Sequence, residues 1–232
     1  MWLFNSSVGK KLVMSITGLA LILFLTFHMS MNCVALFSAE GYRFICEFLG
    51  ANWYAIVGTI GLALLMVIHF VYALWLTLTN QKARGNQRYA VTARPKGVEF
   101  ASRNMFVLGL IVVLGLTLHL FNFWAKMQLV ELGGGVPGDG VDLIRYTFSK
   151  WYFVLLYIIW LGALWFHLTH GFWSAIQTIG WSNTKWFVRW KWIGYICVTL
   201  LILGFVGVLV SYFCYETFHW TFLSSLFGGL AQ

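Results

Sequence analysis

Residues 104–127 read N-M-F-V-L-G-L-I-V-V-L-G-L-T-L-H-L-F-N-F-W-A-K-M, with Lys126 at the rim as the only charged side chain. A bilayer core takes about 20 apolar residues to cross as a helix. A strand at that depth would leave its amides unpaired in hydrocarbon, so the run reads as a transmembrane helix. Four further stretches, 12–37, 53–79, 151–179 and 192–215, have the same character. The chain is therefore expected to be all-α: one integral membrane domain over residues 1–232, built as a bundle of five transmembrane helices. The first run is too long for a signal-peptide core and shows no small-residue cleavage site, so it reads as retained.

The composition agrees. Hydrophobic residues make up 60% of the 232 and charged residues only 9%, and a mean hydropathy of +0.80 excludes an ordinary soluble domain. The net charge of +8 does not point to nucleic acid, because the basic residues lie in loops between the apolar runs. Lys10, Lys11, Lys82, Arg84, Arg88, Arg94, Lys96, Arg103, Lys185, Arg189 and Lys191 fall on one side. Arg43, Lys126, Arg145 and Lys150 fall on the other, together with Glu40, Glu47, Glu131, Asp139, Asp142 and Glu216. The positive-inside rule then sets the N-terminus in the cytoplasm and the C-terminus outside. The outer loop segment 133–140, G-G-G-V-P-G-D-G, reads as a flexible turn region. Cys33, Cys46, Cys197 and Cys214 have no metal-like spacing and read as small packing residues.

The six histidines carry the functional signal. His28, His69, His119, His167 and His170 lie inside predicted spans, where an ionisable side chain is costly and normally has a partner. A lone imidazole in a span usually hydrogen-bonds a neighbouring helix, but here four successive spans each carry one and no span interior offers a carboxylate. His219 lies beyond the fifth span and reads as interfacial. Counted from the inner end of each span, His28 is 16 residues in and His119 is 15, whereas His69 is 10 and His167 is 12. That predicts an outer pair, His28 with His119, and an inner pair, His69 with His167, separated by roughly 5 to 10 Å at 1.5 Å per residue. Two imidazoles facing across a bundle are the axial set of one b-type haem, so four hold two haems. Two per level fall short of zinc's usual four ligands. By depth alone His170 serves the inner level as well as His167. Gly115 and Gly171, each four residues from a ligand, leave room for a porphyrin or serve close helix packing.

Three stretches also carry a resemblance: S-S-V-G-K-K-L-V-M-S-I-T-G-L at 6–19 ahead of His28, A-S-R-N-M at 101–105 leading to His119, and F-H-L-T-H-G-F-W at 166–173. They resemble the diheme cytochrome b membrane anchor of bacterial succinate dehydrogenase and fumarate reductase, over spans one to four in their order. The resemblance implies a multi-pass protein of the bacterial inner membrane that carries two haem b and exchanges electrons with a quinone, menaquinone rather than ubiquinone. It also implies a flavoprotein subunit and an iron-sulfur subunit on the cytoplasmic face, with dicarboxylate catalysis in a partner and no catalytic residue in this chain. The ligand role goes to His167, which is followed by Gly171, Phe172 and Trp173, and His170 becomes a haem-pocket neighbour. Ser15 is implied as a contact to an inner-haem propionate, Arg145 as a partner of the outer haem's propionates, and Arg103 as a further inner-side candidate. The acids nearest an outer quinone are Glu40 and Glu47, which read equally as solvated loop residues. With no acid inside the spans, protons are expected to exchange on the outer side while electrons cross the membrane. Two other readings stay open: a cytochrome b anchor of another quinone-linked complex, such as hydrogenase or formate dehydrogenase, and a transporter with a histidine-lined path.

Overall fold

The computed structural model describes residues 6–50, 52–84 and 100–230, and among these every regular element is helical. Five helices are long and apolar enough to cross a membrane. They are α1 (Ser7–Phe37), α3 (Trp53–Arg84), α4 (Phe100–Asn122), α7 (Trp151–Thr178) and α8 (Trp186–Phe218). Short helices fill the loops at one end of the bundle: α2 (Ala39–Phe48), α5 (Gln128–Leu132), α6 (Gly140–Phe148) and α9 (Phe222–Leu226), with 3₁₀ turns at Trp124–Lys126 and Gly228–Leu230. The basic stretch containing Arg88, Arg94 and Lys96 lies outside the described residues.

The five spans appear where the apolar runs put them, but several ends differ. α1 starts at Ser7 because the Ser6 hydroxyl accepts from the Gly9 amide at 2.9 Å, satisfying one of the donors a helix start leaves open. α3 and α8 likewise run past their apolar stretches, since a helix need not stop where lipid does. α4 ends early, at Asn122 rather than 127. There the Asn122 amide donates to the Tyr157 hydroxyl at 3.3 Å, and the chain turns through a 3₁₀ segment. α8 ends on His219, which adopts the left-handed conformation (φ 53°) that stops a helix.

α7 is the hub. It packs on α1, α4 and α8, and α1 packs in turn on α8 and α3. α3 leans on α1 and makes no comparable contact with α4 or α7, nor does α1 with α4. Most of the best-buried side chains, Leu209 and Tyr212 of α8 and Val141, Ile144 and Thr147 of α6, lie toward the end of the bundle where the short helices gather, with Val198 nearer the other end of α8. Association of helices in lipid rests on close packing and polar contacts more than on the hydrophobic effect. Here Tyr212 supplies both, fully buried and donating its hydroxyl to the Ala35 carbonyl at 2.9 Å.

The loops at that end form a cap, to which the turn region 133–140, exposed and without regular structure over 133–137, is anchored at its end by Asp139. The Asp139 carboxylate starts α6 by accepting from the Val141 and Asp142 amides at 2.8 and 3.1 Å. Its other oxygen pairs with Arg43 Nε of α2 at 2.7 Å, so one side chain ends a loop, begins a helix and ties two helices together. The C-terminal turn completes the cap. Leu230 is fully buried, its carbonyl accepts from Arg145 at 2.7 Å, and a Cβ on Gly229 would collide with the Ala35 carbonyl oxygen. Cys46 sits beneath this cap, its thiol pushed up to about 11 by burial, so it is neutral at physiological pH.

Burial alone would raise the Asp139 pKa, but the Asp142 and Val141 amides and the Arg43 guanidinium outweigh it and hold the carboxyl below its ordinary value. A carboxyl depressed on folding contributes stability above its unfolded pKa of about 3.9 and loses it as pH falls through the folded value. Asp139→Asn is therefore expected to lower the unfolding midpoint at neutral pH and to flatten its fall on acidification below about pH 4. Thermal unfolding in detergent across that range reads the effect, and an unchanged acid limb would remove Asp139 from this role.

Candidate metal centre

Histidines from four spanning helices meet in two pairs. His28 of α1 faces His119 of α4, with ring centroids 5.7 Å apart and planes at 84°. His69 of α3 faces His167 of α7 at 6.4 Å and 71°. These are the pairs that depth along the sequence predicts. Each joins two helices that are not packed on one another, so the side chains reach toward each other across the interior. His170, which depth alone could not separate from His167, has Trp173 beside it, with ring centroids 5.0 Å apart.

The two levels lie farther apart than span counting suggests. A Cβ on Gly18 would touch His69 Cε1 at 3.3 Å, and one on Gly109 would touch His167 Cε1 at 3.7 Å. Each glycine precedes the outer-level histidine of its own helix, His28 or His119, by ten residues, about 15 Å of helix. The expected 5 to 10 Å was short because the counting started from span ends that the real helices overrun by different amounts.

A hydrogen bond holds the ring of His69. The buried Thr17 hydroxyl lies 3.0 Å from His69 Nδ1 and 2.8 Å from the Val13 carbonyl. When its proton goes to that carbonyl it accepts from Nδ1–H, the tautomer that leaves the Nε2 lone pair for a metal. The outer pair sits among aromatic rings instead. Phe24 and Phe205 lie against His28, and Phe123, Tyr157 and Trp160 surround His119. Asn32, one turn beyond His28, donates to the His28 carbonyl at 2.8 Å and accepts from the Tyr42 hydroxyl at 3.2 Å, linking this level to the cap.

A metal bonded at about 2 Å to one nitrogen of each of two facing rings separates their centroids by roughly 6 Å, which both levels match. Among the described residues no group of three or more His, Cys, Asp or Glu gathers as a metal cluster. The donor sets thus suit a metal whose remaining positions are filled by a macrocycle and do not suit a protein-only zinc site. Among the described residues, the buried Nδ1 of His167 has no hydrogen-bond partner.

The other predicted residues fare differently. Ser15 is buried on α1, with its hydroxyl donating to the Lys11 carbonyl at 2.9 Å, and lines a cavity on the N-terminal side of the inner pair. Arg145 is held by Glu216 at 3.4 Å and by the Leu230 carbonyl, within the cap. Arg103 is exposed at the first turn of α4, and Glu40 and Glu47 are exposed on α2. The space beside Gly115 is taken by the Trp160 ring, whose Nε1 donates to the Val112 carbonyl at 3.1 Å, so this glycine serves close packing of α4 on α7. Gly171 has nothing within 4 Å of a Cβ. Sequence reasoning missed Thr17, Gly18, Gly109, Asn32 and Tyr42 as neighbours of the histidines. The first two stand inside the quoted stretch 6–19, but only helix pairing reveals what faces them. Comparison of the chain with protein-family models, curated proteins and solved structures finds no match.

Thr17→Val keeps the shape of the side chain and removes the acceptor. The expected result is a shift of His69 from the Nδ1–H tautomer toward a mixture, read from its ¹⁵N chemical shifts in labelled protein. Identical shifts in both proteins would show that Thr17 does not set the ring.

Proposed function

We propose that this chain is the haem-carrying membrane anchor of a succinate:quinone or fumarate:quinol oxidoreductase, passing electrons between an iron-sulfur subunit and a membrane quinone. The observation that carries the haem part is the meeting of four histidines as two facing pairs, at two depths, between helices not packed on each other. The choice of complex rests on the resemblance of residues 6–19, 101–105 and 166–173. When bound, the porphyrin iron supplies one-electron chemistry at each level. His28 and His119 hold the outer group, and His69 and His167 the inner one. Thr17 orients His69, and the aromatic side chains around His28 and His119 keep water from the outer level. A haem held at each level by two histidines would supply electron transfer rather than oxygen binding.

Orientation follows from charge. The described end bearing Lys10, Lys11, Lys82, Lys185, Arg189 and Lys191 is assigned to the cytoplasm and is where the flavoprotein and iron-sulfur subunits would dock. Bacterial inner membrane and menaquinone follow from the same resemblance.

Haem quantified per chain in purified protein tests the reading. The wild type is expected to carry two haem b, His167→Ala one, and His170→Ala two. Protein without haem b bands would end the cytochrome assignment and leave a histidine-lined transporter. Co-purification with hydrogenase or formate dehydrogenase subunits instead of a flavoprotein would keep the haems and change the complex.

A further inference from the structure

The two histidine levels are held by different means. At the inner level the Thr17 hydroxyl meets a ring nitrogen of His69. At the outer level the ring of His28 is flanked along its own helix. Phe24, one turn earlier, has its ring 5.5 Å away and nearly parallel, at 14°. Asn32, one turn later, brings its amide nitrogen to 3.5 and 3.4 Å from the two ring nitrogens. A group almost equally far from both, at that range, could not lie in the ring plane without overlapping Cε1, so it sits over the face of the imidazole. Neither in-plane nitrogen position is taken, and Asn32 holds the ring without competing for its lone pair.

What holds Asn32 comes from outside the span. Its amide nitrogen donates to the His28 carbonyl at 2.8 Å, and its side-chain oxygen accepts from the Tyr42 hydroxyl at 3.2 Å. The reverse orientation would set two oxygens against each other at His28, so the neighbours decide which way the amide points. Two anchored ends leave the amide one plane, whereas with the Tyr42 bond gone it can turn about the other. Tyr42 is buried on α2. It reaches Asn32 because the chain bends at Ser38, whose extended backbone ends α1 and whose hydroxyl accepts from the Gly41 amide at 2.9 Å to begin α2. A Cβ on Gly140, the first residue of α6, would lie 3.1 Å from the Tyr42 ring and collide with the Cys46 thiol, so α6 packs directly on this pair. Burial first, and then Cys46 beside it, push the Tyr42 hydroxyl well above its ordinary value, so it keeps its proton at physiological pH.

We propose that Tyr42, acting through Asn32, is a positioning residue for the outer histidine pair: it fixes the plane of the His28 ring against that of His119, 84° away. This rests on the function proposed above only for what the pair holds. Groups that fix a ligand ring from behind also tune the metal it binds, and around haem they help to set the reduction potential. The N–H groups are the positive end of the amide dipole, and over the imidazole they favour the reduced iron, which carries one charge fewer. The cap at the acidic end thereby becomes part of the scaffold of the outer centre.

The test uses the full chain with whatever subunits co-purify, as wild type, Tyr42→Phe, Asn32→Leu and the double variant, the outer haem being the one that His167→Ala retains. Each substitution keeps the shape of the side chain, so two haems per chain are expected throughout. In Asn32→Leu redox titration shows the outer haem harder to reduce, its equilibrium changed about tenfold, about 59 mV for one electron, while the inner haem stays in place. Tyr42→Phe moves the outer haem the same way and by less, and it adds nothing in the Asn32→Leu background, because Tyr42 acts through that residue. The low-field electron paramagnetic resonance line of the ferric outer haem, which depends on the angle between its imidazole planes, shifts in both single variants. An outer potential and line unchanged in Asn32→Leu, equal movement of both haems, or additive effects in the double variant would each overturn the proposal. A wild type without haem would overturn the proposed function instead. The ring is then read directly from the His28 ¹³Cε1 resonance of labelled protein, which Tyr42→Phe is expected to move; a resonance that stayed in place would remove Tyr42 from this role.

Discussion

Imidazole is too polar to face hydrocarbon, and in this chain no carboxylate inside a span is there to receive it. The bundle meets that constraint by turning histidines from four helices toward one another in two pairs. Much of the remaining architecture follows from this choice. Glycines at positions 18 and 109 leave room beside the inner rings, the Thr17 hydroxyl hydrogen-bonds one of them, and aromatic side chains close round the outer pair. The paired helices α1 and α4, like α3 and α7, are set apart, so the histidines reach across an interior instead of a helix seam.

The two ends of the bundle solve different problems. At the end bearing the acids, amphipathic helices α2 and α6 and the C-terminal turn pack into a cap whose buried side chains interlock with α1 and α8. Ion pairs between Arg43 and Asp139 and between Arg145 and Glu216 tie its parts together, and Tyr42 connects it through Asn32 to the outer histidine level. The basic end has no such cover among the described residues. Its rim combines lysines with tryptophans, as in Lys10 over Trp75 and Arg189 beside Trp186, a composition suited to the headgroup region.

The pairing of the histidines was legible before any coordinates, because in a membrane the depth of a residue along its span is also its height in the structure. Other readings needed a lateral coordinate. Gly115 read as room for a porphyrin or as a packing glycine, and the neighbour that decides, Trp160, lies 45 positions away on α7. Arg145 meets Glu216 and the Leu230 carbonyl, partners far along the chain. The turn region 133–140 is anchored at Asp139 by Arg43, which belongs to α2.

The apolar runs by themselves determined that five helices form, where each crosses, and which histidines share a level. Hydrocarbon leaves the backbone a single way to satisfy its hydrogen bonds and admits few charges, so composition there translates directly into structure. Only the tertiary structure decided which faces of those helices meet and that the outer loops fold into a cap. Those outcomes depend on rotation about each helix axis and on contacts between residues far apart in the chain, which one-dimensional periodicity does not encode when helices are apolar on every side.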